Sequence, residues 1–159
     1  MGTEAYTIRL YPPVDAHDFD RLMRDTNEVF HPALRSFYRT YNGLHLFNSL
    51  GFVGIDTYMN DPGEQPWSIY RANTHERPKD APDDAVFFGF YTADGSVLFM
   101  VSNSDQVFRC KRRKAKVLTT WETFDEMVET ETDRLDQEFE RKKRKMTILS
   151  CLSAPKRTS

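Results

Sequence analysis

Four histidines and two cysteines are the side chains that could carry catalysis or hold a metal: His17, His31, His45, His75, Cys110 and Cys151. No two histidines stand in HxH, HExxH or i, i+4 spacing, so no metal site is written locally and no cofactor is called for. The cysteines form no CxxC pair, which removes a zinc ribbon and a secreted disulfide framework. Arg109 and Lys111 flank Cys110 and would lower its thiol pKa if they lay near the sulfur. On a strand, neighbours project to the opposite face, so the simpler expectation is a Cys110 directed into a core. His45, in an apolar run, reads as a half-buried structural histidine, and His31, just before Pro32, as a residue at a helix start. Gly51, Gly54, Gly89 and Gly95 make neither GxGxxG nor a Walker pattern, so nucleotide binding lacks sequence support. These readings point away from an enzyme.

Charge offers a different chemistry. The net charge of -2 hides a segregation: Glu122 to Glu140 carries nine acids against Arg134 alone, and Arg141 to Ser159 carries seven bases and no acid. A second basic cluster is Arg109, Lys111, Arg112, Arg113, Lys114 and Lys116. Basic runs can neutralise phosphates with release of counterions, and Arg109, Lys111, Arg112, Arg113 and Lys114 are the candidate contacts to nucleic acid. A sequence pI near 6.1 and the adjacent acidic stretch oppose a polyanion, so nucleic acid is the disfavoured partner. Large amphipathic side chains between acids suit a protein partner instead, which makes Asp56, Tyr58, Asp61, Glu64, Trp67 and Tyr70 the candidate docking patch. The face from Glu122 to Asp133 is a second acidic candidate, with a solvated helix face as the plainer reading.

These side chains must be positioned by one domain, because 159 residues match the usual size of a single core. A 13% aromatic content argues against disorder. No run approaches the roughly 20 apolar residues of a membrane span, and the first residues lack an apolar signal segment, so a cytoplasmic protein with no membrane association is expected. Residues 1–14 read as an N-terminal arm or edge strand, 15–140 as the domain, and 141–159 as a basic, mobile tail. Within the domain, Asp15 or Asp18 caps a helix with Phe19, Leu22 and Met23 on one face, running to about Val29. Pro32 opens a second helix bearing Leu34, Phe37, Tyr38 and Tyr41, which stops at Asn42-Gly43, residues that tolerate left-handed backbone. Leu44 to Phe47 and Phe52 to Ile55 read as a hairpin, and Pro66 opens a short helix through Asn73. Thr74 to Asp84 should be an exposed loop. Val86 to Tyr91, Val97 to Val101 and Val107 to Cys110 then form an antiparallel meander, followed by a short strand at Val117 and Leu118. Thr119 or Thr120 caps a last helix with Phe124, Met127, Val128, Leu135 and Phe139 on its apolar stripe. The fold class is α+β: N-terminal helices, a central antiparallel sheet and a C-terminal helix.

The stretch His31-Pro32-Ala33-Leu34-Arg35-Ser36-Phe37-Tyr38-Arg39-Thr40-Tyr41-Asn42-Gly43 resembles the core motif of the SUKH superfamily, the Smi/Knr type. The strand pair after it, the Pro82-Asp83-Asp84 lead-in, Gly89, the Asp94-Gly95 turn and the helix opening at Thr120-Trp121-Glu122-Thr123-Phe124 extend the resemblance over about Asp15 to Leu135. The arm from Tyr6 to Pro13 and the basic tail after Phe139 depart from the common pattern. The resemblance implies an α+β module without catalytic residues that works by binding. Many bacterial members are immunity proteins that neutralise a cognate toxin domain, often a nuclease or deaminase, and others are interaction modules in regulatory proteins. It implies a structural role for Asn42 and Gly43, and leaves the docking surface and the oligomeric state open.

Overall fold

The computed structural model describes residues 8–25, 30–55 and 67–153. In chain order these form β1 (Ile8–Leu10), α1 (Ala16–Asp25), α2 (Pro32–Thr40), β2 (Leu44–Leu46), β3 (Leu50–Phe52), α3 (Ile69–Asn73), β4 (Ala85–Tyr91), β5 (Val97–Val101), β6 (Val107–Lys111), β7 (Lys114–Trp121) and α4 (Phe124–Ser153). The strands make one seven-stranded antiparallel sheet in the order β1 to β7, so every strand lies beside its neighbour in sequence. This is the expected α+β domain.

Strand alternation divides the sheet into two unequal faces. Phe52, Val86, Phe88, Leu98, Met100 and Val107 join the main core with Leu22 and Met23 of α1, Leu34 and Tyr38 of α2, and Phe124, Met127 and Leu135 of α4. The rings of Phe37, Phe52, Phe88 and Phe124 meet at centroid distances of 5.2 to 5.9 Å. Ala85, Phe87, Phe99 and Cys110 form a smaller cluster on the opposite face, against Ala72 and Ala81.

The local signals for α1 and α2 act as expected. The Asp15 carboxylate accepts from the Asp18 N–H at 2.8 Å, and His31 caps α2 by accepting from the Ala33 N–H at 3.2 Å. The expected end of α1 at Val29 lies outside the described residues. After α2, Gly43 takes φ 115° but Asn42 does not adopt the left-handed region. Asn42 acts through its amide instead: it donates to the Ile55 carbonyl at 3.0 Å and accepts from the Ile55 N–H at 2.7 Å. The hairpin turns earlier than expected, at Phe47 and Asn48 with φ 50° and 53°, so Leu50 and Gly51 belong to β3. Val53 to Ile55 leave the sheet, and Gly54 bridges Ser68.

Two expectations near the C-terminal helix are corrected. The strand expected at Val117 and Leu118 runs through eight residues as β7, because an edge strand exposed on both faces needs no apolar alternation to form. Thr119, Thr120 and Trp121 consequently stay in the sheet opposite Arg109, Phe108 and Val107, and cannot cap α4. The cap falls on Thr123, whose hydroxyl accepts from the Glu126 N–H at 3.1 Å while the Glu126 carboxylate accepts from the Glu122 N–H at 2.7 Å. This is the same Thr-x-x-Glu chemistry, displaced along the chain. At its other end α4 carries Arg141 to Lys145 and remains helical to Ser153, two residues before Pro155, the next helix breaker. Residues 141–147 are exposed throughout.

Candidate binding groove

Among the described residues, the face of the sheet away from α1, α2 and α4 is covered in part, by α3 and the segment after it. Ser68 caps α3, its hydroxyl accepting from the Arg71 N–H at 3.4 Å. Gly54 anchors the approach to α3, donating to the Trp67 carbonyl at 2.7 Å and accepting from Ile69 at 2.8 Å. The helix therefore starts at a serine cap rather than at Pro66, which lies outside the described residues. Asn73 then clamps α3 to β4: its amide donates to the Phe87 carbonyl at 2.8 Å and accepts from the Phe87 N–H at 2.7 Å. Beyond α3, Arg77 donates to the carbonyls of Pro82, Asp83 and Ala85 and lies over the Phe87 ring. One guanidinium thus organises a segment that carries no regular structure.

A groove of about 750 Å³ remains between this cover and the sheet. Its floor is Phe87, Gly89, Phe90 and Val97, its walls Trp67, Ala72, Arg71, Glu76 and Arg112. A register shift between Phe87 and Gly89 places an extra residue in β4. Phe90 therefore faces the groove with Phe87, while Tyr91 turns to α4. Trp67 stacks on Phe90 with ring centroids 4.6 Å apart and planes inclined by 20°. Gly51, across the strand from Phe90, admits that ring: a Cβ there would lie 2.4 Å from Phe90 Cζ. Gly51→Val is expected to displace Phe90 and disturb its stack with Trp67, at a stability cost of about 1–3 kcal/mol. Tryptophan fluorescence and thermal melting of the variant check this.

Of the residues proposed for docking, Trp67 and Tyr70 are 57% and 58% exposed, Trp67 in the groove wall and Tyr70 beside it on α3. Asp56, Tyr58, Asp61 and Glu64 lie outside the described residues. Asn42 is buried in its clamp to Ile55, and Gly43 leads into β2.

The basic cluster is divided by the fold. Arg109 pairs with Asp94 at 2.9 Å, donates to the Ser96 hydroxyl at 2.7 Å and lies 3.8 Å from the Tyr91 ring centroid. Arg112 reaches Glu76 at 3.5 Å. Lys111, Arg113 and Lys114 are exposed at the β6–β7 turn. Burial works against the Asp94 charge, but the hydrogen bonds from Ser96 and the Arg109 guanidinium prevail and hold its carboxyl below the usual range. A depressed carboxylate pKa adds stability above its unfolded value and loses it as pH falls through the folded one. The melting temperature of the wild type should decline from about pH 5 to pH 3 more than that of Asp94→Asn. Solvent screening keeps the difference below about 1 kcal/mol, because Asp94 is half exposed.

Cys110, His45 and His31 are structurally engaged. Cys110 is fully buried, and burial, with the Asp80 charge, pushes its thiol up to about 11. In the native protein Cys110 should resist iodoacetamide, and unfolding should release it, as read by peptide mass mapping. His45 packs edge-on to Tyr11 and Phe90, and burial followed by the Arg9 charge lowers its pKa. His31 also meets Asp105 at 3.0 Å. Among the described residues, Asp15, His17 and Asp18 bring three ligand atoms within 4.8 Å of one another. Asp15 is there a helix cap and Asp18 pairs with Arg21 at 3.2 Å.

Glu131 belongs to the Glu122 to Asp133 face, whose two readings, an acidic docking face or a solvated surface, both require exposure, yet it is 4% exposed. It accepts from the Tyr91 hydroxyl at 2.9 Å and from Arg134 at 2.7 Å. Its spacing of four from both Met127 and Leu135 places it on the buried stripe, and that was the available signal.

No helix among the described residues is long and apolar enough to cross a membrane. No curated protein matches the chain. The family model described as SMI1 / KNR4 family (SUKH-1) matches residues 13–130. That span takes in α1, α2, the strands β2 to β7 and every residue lining the groove, and the chain accordingly belongs to the SMI1 / KNR4 family (SUKH-1).

Proposed function

We propose that this chain is a non-enzymatic, cytoplasmic protein-binding module, and in its most concrete form an immunity protein that binds and neutralises a cognate toxin domain of nuclease or deaminase type. Membership of the SUKH-1 family is consistent with an immunity-type or protein-interaction domain. The observation that carries the reading is the aromatic groove on the α3 face of the sheet, with Trp67 in its wall and Tyr70 beside it, each more than half exposed. Large, amphipathic and well-supported side chains of this kind dominate the energetics of protein interfaces. The sealed Cys110 thiol and the structural engagements of His31 and His45 support binding over catalysis.

Neutralisation is tested in growth. A toxic domain captured with the chain is expressed alone, with the wild type, and with a Trp67→Ala, Tyr70→Ala variant. The wild type should restore growth and the variant should not. Capture of a non-toxic regulatory protein would favour a general interaction module in place of immunity. The nucleic-acid reading rests on the exposed Lys111, Arg113 and Lys114 and on Arg141 to Lys145. It predicts a strongly salt-dependent shift of a labelled oligonucleotide.

A further inference from the structure

The groove combines two chemistries. Its lining sets the apolar rings of Trp67 and Phe90 beside Arg71 and Arg112, which both reach the same carboxylate oxygen of Glu76. Both ion pairs to Glu76 are loose, at 3.6 Å and 3.5 Å from the same carboxylate oxygen, beyond the 2.7–2.9 Å of a charge-assisted hydrogen bond. The Arg71 and Arg112 side chains are 68% and 55% exposed. Two guanidiniums shared by one carboxylate leave an unneutralised positive charge and several N–H donors directed to solvent. Lys111, Arg113 and Lys114, exposed on the same turn as Arg112, extend that positive potential beyond the rim. Gly95, at φ 67°, lies beneath the Arg112 stem and adds no side chain of its own to the groove.

We propose that the groove binds an extended acidic segment of a protein partner, in which a large apolar side chain rests against Trp67 and Phe90 and a nearby carboxylate completes a neutral quartet with Arg71, Glu76 and Arg112. The proposal rests on the protein-binding reading and names the partner's chemistry. A polynucleotide fits these residues less well. Asp94 takes Arg109, and the Asp80 carboxylate accepts from the Ala115 N–H at 2.9 Å, so acids interrupt the basic hairpin where a run of phosphates would lie. A single carboxylate needs only the two guanidiniums, and the apolar rings give it an adjacent anchor. The basic run in the sequence thus becomes the rim of a peptide groove.

The test selects random linear peptides displayed on phage against the immobilised full chain, then measures resynthesised peptides by fluorescence anisotropy. A labelled 20-nucleotide single-stranded DNA is measured in parallel. Enriched peptides should pair an aromatic or large aliphatic residue with Asp or Glu. Their affinity should fall about tenfold or more in Arg71→Glu, Arg112→Glu and several-fold as salt rises. It should increase in Glu76→Gln, a gain that a merely structural role for these residues does not predict. Melting curves establish that each variant is folded. Peptides that lack acids, or that bind equally well to the double variant, would overturn the proposal and leave a module that binds protein in another way. DNA binding lost in Lys111→Glu, Arg113→Glu, with no peptide enriched, would overturn the proposal and favour the nucleic-acid reading. Failure to enrich any peptide, with no DNA binding, would overturn the proposal alone, because growth rescue decides the broader reading separately.

Discussion

Asn42→Ala should lower the melting temperature by roughly 5–15 °C, the largest stability effect expected of a polar substitution in this chain. The Asn42 side chain is 4% exposed and closes two hydrogen bonds on the backbone of Ile55, at 3.0 Å and 2.7 Å. Its removal strands a buried N–H and a buried carbonyl at once, and each unsatisfied group costs about 1–3 kcal/mol. Asn42→Asp retains the acceptor for the Ile55 N–H but loses the donor and places a carboxylate against a carbonyl oxygen, so it should be no better tolerated. Ile55 directly follows Gly54, which holds the Trp67 and Ile69 backbone. The clamp therefore sits upstream of α3, and loss of partner binding should accompany loss of stability. Chemical denaturation and thermal melting of the two variants check the prediction.

Trp67→Ala should act in the opposite sense, with little effect on the fold and a large one on binding. The ring is more than half exposed, and among the described residues it stacks on Phe90, so the stability cost should stay near 0.5–1.5 kcal/mol. In the complex the same ring becomes a central buried anchor, and truncation of such an anchor costs about 2 kcal/mol or more, near 30-fold in Kd. Calorimetric titration of the purified partner, beside melting curves of both chains, separates the two effects. Tyr70→Ala should show the same pattern with a smaller amplitude, since Tyr70 stands beside the groove on α3.

The contrast between these residues also shows what was legible in the sequence. The helix from Pro32 to Thr40 and the meander from β4 to β6 were readable because their punctuation is local: a proline, an apolar stripe, and turns carrying Asp, Asn or Gly. The resemblance to the SUKH superfamily, Smi/Knr type, was readable for the same reason, since its core motif is a helix with its terminating turn. The cap of α4 was misplaced because Thr119 and Thr123 offer the same spacing to a glutamate, and only pairing of Thr119 with Arg109 in the sheet decides between them. β7 was shortened because a basic edge strand lacks the alternation used to find strands. Glu131 was lost in a count of acids, although its position between Met127 and Leu135 marked it for burial.

The groove was the least legible feature, for a physical reason. Trp67 was singled out from its type, but the surface needs Phe90, and Phe90 reaches that face only because β4 carries an extra residue before Gly89. No periodicity announces the register shift. Arg71, Glu76 and Arg112 come together from α3, the segment after it and the β6–β7 turn, so the rim is a product of topology alone. The basic run that suggested phosphate contacts is, in three dimensions, interleaved with Asp80, Glu76 and Asp94.

The most direct measurement is affinity capture from native lysate after nuclease treatment, with tagged wild-type and Trp67→Ala chains in parallel and quantitative mass spectrometry of the retained proteins. The account predicts one protein partner held by the wild type, unaffected by nuclease and depleted on the variant. Recovery of nuclease-sensitive ribonucleoproteins alone, in equal amounts on both chains, would contradict it.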